Sequence, residues 1–119
     1  MEKLINQEIR KIAPEMDPLR MGMGWTAEDL EKPSILIEST FGDSHPGSAH
    51  LFELAEEARK GAAYEGGKGA RYFATDICEG MAQGHDGINY SLASRDMIAN
   101  MIEIHAGATP FDAGVYLAS

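Results

Sequence analysis

Three short apolar runs, separated by two stretches of helical periodicity, restrict this chain to one class of architecture. Ile35-Leu36-Ile37 reads as a buried strand and Arg71-Tyr72-Phe73-Ala74-Thr75 as a second. The run from Ala113 to Ala118, with Val115, Tyr116 and Leu117, reads as a third. Between the first two, Leu51, Leu54, Ala55 and Ala58 mark one face of a helix, with Glu53, Glu56, Glu57, Arg59 and Lys60 on the other. Between the last two, Ser94 is placed to cap a helix carrying Met97, Ile98, Met101 and Ile102, ending near Gly107 and Pro110. Strands joined through helices pair in parallel with right-handed crossovers. The expected fold is a three-layer α/β domain with a small parallel sheet, in βαβαβ order.

The first 33 residues follow a different pattern. Leu4, Ile5, Ile9 and Ile12 recur at helical spacing until Pro14 stops them. From Pro14 to Pro33 the pattern is irregular and predicts an extended connection, with a short helical turn from Thr26, a suitable N-cap, to Glu31. Residues 1–33 are therefore expected to form an amino-terminal helix and connection, and residues 34–119 the α/β part. A length of 119 residues fits one domain.

Charge and cysteine content exclude several function classes. Ten basic residues against nineteen acidic ones give a net charge of −9, which argues against a phosphate backbone as partner. No apolar run approaches the roughly 20 residues needed to span a bilayer, and Met1 to Pro14 lacks the apolar core of a signal peptide. The single cysteine, Cys78, excludes an internal disulfide and suits a reducing cytoplasm.

Two long polar loops, Ser39–Ser48 and Asp76 to about Ala93, leave the carboxyl ends of predicted strands, where open α/β sheets bind ligands. The first holds Asp43, Ser44, His45 and Ser48, with His50 just beyond; the second holds Asp76, Cys78, Glu79, His85, Asp86 and Asn89. Many acidic residues in such loops only form turns, and a lone cysteine is often just a small hydrophobe. His105, on the second helix, reads as structural. Gly66-Gly67-Lys68-Gly69 precedes a strand and lacks the spacing of a phosphate loop. The adjacent pair Cys78 and Glu79 is more specific. A thiolate suits an iron–sulfur cluster and a carboxylate suits Mg²⁺, but one cysteine cannot hold a cluster alone.

Several longer motifs carry a resemblance. Gly42-Asp43-Ser44-His45-Pro46-Gly47-Ser48-Ala49-His50-Leu51, Asp76-Ile77-Cys78-Glu79-Gly80, Gly84-His85-Asp86-Gly87 and Tyr90-Ser91-Leu92-Ala93-Ser94-Arg95-Asp96 resemble the amino-terminal part of the dihydroxy-acid dehydratase / phosphogluconate dehydratase family. The first motif and the lead-in Met21-Gly22-Met23-Gly24-Trp25 resemble most its sugar-acid branch, the xylonate dehydratase type. The resemblance runs from about Arg20 to Ser119.

It implies a cytoplasmic hydro-lyase that removes water from a 2,3-dihydroxy carboxylic acid, either an aldonate or a branched-chain dihydroxy acid, to give a 2-keto acid. It further implies an iron–sulfur cluster, [2Fe–2S] or [4Fe–4S], acting as Lewis acid on the 3-hydroxyl, and a Mg²⁺ gripping the carboxylate and 2-hydroxyl. Glu79 stands at the position of a family Mg²⁺ ligand. Many members have a cluster cysteine in an Asn-Pro-Cys pattern where this chain has His45-Pro46-Gly47, so Cys78 becomes the substitute cluster ligand. Ser44, His45, His50, His85 and Asp86 are the residues expected to touch substrate. The family's third strand runs on into a Cys-Asp-Lys segment, and a second, β-barrel domain carries the catalytic base. The chain is thus expected to be an amino-terminal fragment of a two-domain, homo-oligomeric enzyme, inactive alone. The other expectation is a non-catalytic truncated or split chain that needs a partner.

Overall fold

The computed structural model describes residues 3–119. Three short helices, α1 (Ile5–Ile12), α2 (Met16–Met21) and α3 (Ala27–Glu31), lead into strand β1 (Ser34–Ser39). Then come α4 (Pro46–Ala49), α5 (Leu51–Tyr64), β2 (Lys68–Phe73), α6 (Glu79–Ala82), α7 (Gly87–Ala108) and β3 (Ala113–Leu117). The three strands form one sheet in the order β2-β1-β3, with both pairings parallel. The α/β expectation and its βαβαβ order therefore hold.

β1 is central because it is the strand whose side chains can be buried on both faces. Leu36 and Ile37 are 1% and 0% exposed, and with Leu30, Leu51 and Ala55 they form the centre of the core. Ile35 and Ile37 face α5. A Cβ on Gly69 would lie 2.8 Å from Ile37 Cδ1 and 3.2 Å from Arg59 Cγ, so glycine lets α5 settle close to the β1–β2 seam. The opposite face carries Leu36 and Glu38. The Glu38 carboxylate is buried, and His105 Nδ1, from α7, lies 3.0 Å from each of its oxygens. Tyr72, the β2 neighbour of Glu38 in the register, stacks on the His105 ring at 4.3 Å. One helix lies on each face of the sheet, and His105 is structural, as the sequence implies.

Four local details differ from the pattern in the sequence. β2 begins at Lys68, because the parallel ladder opens at Ser34↔Lys68 and carries the glycine-rich stretch into the sheet. α7 begins at Gly87, seven residues before Ser94. The Ser94 hydroxyl donates to the Ser91 carbonyl inside the helix and caps nothing. Short helices α4 and α6 fill parts of the two loops, so neither loop is a long unstructured tract. The Pro14–Pro33 segment contains α2, whose Pro18 falls in the first turn where its missing N–H breaks no helical bond. Thr26 does cap α3, in a reciprocal capping box with Asp29.

The amino edge of the sheet is closed by one carboxylate. Asp112 accepts from the backbone N–H of Ser34 at 2.8 Å and from that of Asn6 at 3.0 Å, tying β1 and α1 to the start of β3. Both donor residues are fully buried. Asp112→Ala would leave two buried N–H groups unpaired, at about 1–3 kcal/mol each. The expected result is a urea midpoint lowered by an amount corresponding to roughly 2–6 kcal/mol; an unchanged midpoint would show that Asp112 is not a clamp.

Candidate functional site

Because all three strands run parallel, their carboxyl ends open on the same edge. The ladder runs one step past them: Thr40 N–H donates to the Leu117 carbonyl at 3.1 Å, and Ala74 N–H donates to the Ser39 carbonyl at 2.9 Å. Beyond that the backbones part, and side chains take over.

Asp76, three residues past the end of β2, is the meeting point. Its carboxylate accepts from Ser48 Oγ at 2.6 and 2.7 Å and from Ser119 Oγ at 2.8 Å, and His45 Nε2 lies 3.0 Å from Oδ1. Burial opposes ionisation here, but the hydrogen bonds from Ser48, His45 and Ser119 outweigh it and hold the Asp76 carboxyl below the usual range. The constellation contains serine, histidine and aspartate, yet it is not a nucleophilic triad. The Ser48 hydroxyl gives its proton directly to a carboxylate, and the imidazole is bonded to that same carboxylate instead of to the serine. Gly47 makes room for this geometry: a Cβ there would lie 3.0 Å from His45 Nδ1 and 3.7 Å from Ser119 Cβ.

An open cleft of about 560 Å³ lies over this edge. Thr40, His45 and Asp76 line one part of it, Cys78 and Glu79 another, and Ser94, Arg95, Ile98 and Ile102 of α7 a third. Cys78 is a partly exposed free thiol at the N-cap position of α6. Glu79, the first residue of α6, is half-exposed and forms an ion pair with Arg95 of α7. The Thr40 hydroxyl is buried and has no hydrogen-bond partner.

Of the residues singled out from the sequence, three come together at this cleft: His45, Cys78 and Glu79. Ser44 is exposed in the turn before α4. His50 Nδ1 lies 3.3 Å from the Pro46 carbonyl on an exposed surface. His85 bridges the α6–α7 turn, with Nε2 2.8 Å from the Met81 carbonyl and Nδ1 accepting from Gly87 N–H at 3.0 Å. Asp86 occupies the N-cap position of α7 without making a capping bond. These four do not line the cleft. Asp76, Ser48 and Arg95 stand out in the sequence only as members of loops and motifs. What unites Asp76 with Ser48 and Ser119, at separations of 28 and 43 residues, is the sheet topology, and no local pattern encodes it.

Among the described residues no group of three or more His, Cys, Asp or Glu side chains converges to hold a metal ion. The edge offers one thiol and one carboxylate that could each join a shared site. No helix among the described residues is long and apolar enough to cross a membrane.

The family model for the dihydroxy-acid/6-phosphogluconate dehydratase amino-terminal region matches residues 32–119. Curated relatives include a dihydroxy-acid dehydratase of Methanococcus aeolicus, 43% identical over 81% of this chain and 18% of the relative. Those of Moorella thermoacetica and Pyrococcus abyssi are 39% and 42% identical, over 88% and 82% of this chain and 19% and 18% of theirs. The chain spans about a fifth of the length of the relatives it matches.

Proposed function

The chain belongs to the dihydroxy-acid/6-phosphogluconate dehydratase family, and from that premise we propose that it forms one wall of the active site of a hydro-lyase. The reaction is the dehydration of a 2,3-dihydroxy carboxylic acid to a 2-keto acid. The observation that carries this reading is the placement of Cys78 and Glu79, side by side, at the mouth of a cleft on the carboxyl edge of a parallel sheet.

The donor set fits a shared metal site, with this chain as a contributor. Glu79 is the hard oxygen ligand for Mg²⁺ and Cys78 the soft ligand for an iron–sulfur cluster. Bound there, the two groups would stabilise the charge on a departing hydroxide, a poor leaving group, and grip the substrate carboxylate. Asp76 is not free to ligate, since its oxygens are already engaged by Ser48, Ser119 and His45. Glu79 now balances Arg95. Arg95 lines the cleft beside it and would offer its guanidinium to the carboxylate of an anionic substrate. One thiol and one carboxylate complete neither site, so either cluster type needs donors from further polypeptide, with the catalytic base among what that polypeptide adds.

The preferred substrate is a sugar acid. The Gly42–Ser48 motif supports this choice. The complete protein is read as a cytoplasmic homo-oligomer. Exposed apolar residues along α7, among them Leu92, Met97 and Ile104, support further protein contact there.

Glu79→Gln keeps the shape but removes the charge a hard cation wants. Keto-acid formation from a panel of aldonates should fall at least 100-fold with the fold intact by circular dichroism; near-normal turnover at limiting Mg²⁺ would sink the assignment. Cys78→Ser should bleach the cluster's visible absorption or make it air-labile, whereas unchanged colour and lifetime would return Cys78 to a packing role. The 119-residue chain on its own, supplied anaerobically with iron, sulfide and Mg²⁺, should form no keto acid. Measurable product would contradict the shared-site reading.

A further inference from the structure

We propose that Asp76 is a positioning residue which sets the relative placement of all three loops at the carboxyl edge and thereby holds Cys78 and Glu79 over the cleft. The inference rests on the dehydratase reading for what Cys78 and Glu79 do, and on geometry alone for how they are held.

Once parallel strands end, no backbone ladder connects the loops that leave them. Here a single carboxylate replaces it. Through Ser48 and His45, Asp76 holds the segment between β1 and α5; through Ser119 it holds the chain leaving β3; and it belongs itself to the segment leaving β2. Ser48 and Ser119 also meet each other, with their hydroxyls 3.2 Å apart. The contacts are short and surround both oxygens, and Ser48 is fully buried. Cys78 and Glu79 follow two and three residues later, within about 7–11 Å of chain. That stretch is too short to let them move independently of their anchor. Asp76 does not touch the Glu79 side chain itself, whose partner among the described residues is Arg95 of α7. Hydrogen-bond partners that orient a metal ligand are worth about 10–100-fold in metal affinity, and Asp76 acts one step further out, on the backbone that carries Cys78 and Glu79.

The test uses the full-length protein and the variants Asp76→Ala, Asp76→Asn, Ser48→Ala and Ser119→Ala, with two readouts. Amide hydrogen exchange should accelerate about tenfold or more in Asp76→Ala at Thr40, Ser48, Ala49, Met81 and Ala82, whose N–H groups are hydrogen-bonded, while β1 and α5 stay protected. Mg²⁺ affinity, titrated calorimetrically with MgCl₂, should weaken 10–100-fold in Asp76→Ala. Asp76→Asn, which keeps one acceptor oxygen, should recover part of both effects. The serine variants should loosen the loop they leave and the Asp76 segment. Faster exchange confined to residues 74–82 would overturn the three-loop role, as would uniform loss of protection through the sheet. Faster exchange in all three segments with unchanged Mg²⁺ affinity would overturn the link to Cys78 and Glu79. If the unmodified protein neither binds Mg²⁺ nor forms keto acid, the dehydratase reading fails, and the exchange data still decide whether Asp76 is the anchor.

Discussion

The parallel pairing of β1 with a strand on each side is the constraint from which the rest of the molecule follows. It buries β1 on both faces, and that puts the carboxylate of Glu38 inside the protein. A buried carboxylate is tolerable only with a partner, and removing the partner of such a pair costs on the order of 3–5 kcal/mol. His105 is that partner, with Tyr72 stacked on its other side. α7 is therefore bolted to the sheet by a polar contact instead of a broad apolar seam, for Met97, Met101 and Ile104 remain exposed. The wall of the cleft formed by Ser94, Arg95, Ile98 and Ile102 lies on the same helix, so the Glu38–His105 pair also fixes how far that wall stands from Cys78 and Glu79.

How much of this could be read in the sequence depends on whether a signal was local. β1, α5, the βαβαβ alternation and the Thr26 cap rest on periodicity and on neighbours three or four residues apart, and each is where the pattern puts it. The start of α7 was hidden because Tyr90, Ser91 and Leu92 form no clear stripe, and Ser94 looks like a cap while bonding backwards to Ser91. The start of β2 was hidden by glycines, which carry no apolar signal although their missing side chains let α5 approach. At the site, Cys78, Glu79 and His45 were legible from residue type and from their place after strands. Ser44, His50, His85 and Asp86 have the same kind of chemistry in the same loops, but His50 and His85 bond nearby backbone, and none of the four reaches the cleft. Residue type marks candidates; only the direction of the side chain sorts them.

The molecule exposes more surface than its length calls for. Its accessible area is 7692 Å², against roughly 6,300 Å² for a compact monomer of this size. Its radius of gyration is 16.7 Å, against about 13–14 Å. The fully buried apolar side chains gather around β1 and the amino-terminal half of α5, leaving both faces of β3 and much of α7 open to solvent. A core that small places much of the burden of defining the structure on directional polar contacts.

Those contacts follow one design at both ends of the sheet, with a difference that matters for function. At the amino edge Asp112 accepts from two backbone N–H groups, and at the carboxyl edge Asp76 accepts from two serine hydroxyls and a histidine. Backbone donors are fixed by the elements that carry them, so the Asp112 clamp holds α1 and β1 in a single arrangement. Hydroxyls and imidazoles turn about their side-chain torsions and can follow a small shift of the loops without losing their partner. The rigid clamp sits at the opposite edge of the sheet from the cleft, and the adjustable one lines the cleft together with Cys78 and Glu79. A shared carboxylate surrounded by rotatable donors thus combines defined loop positions with some freedom to adapt.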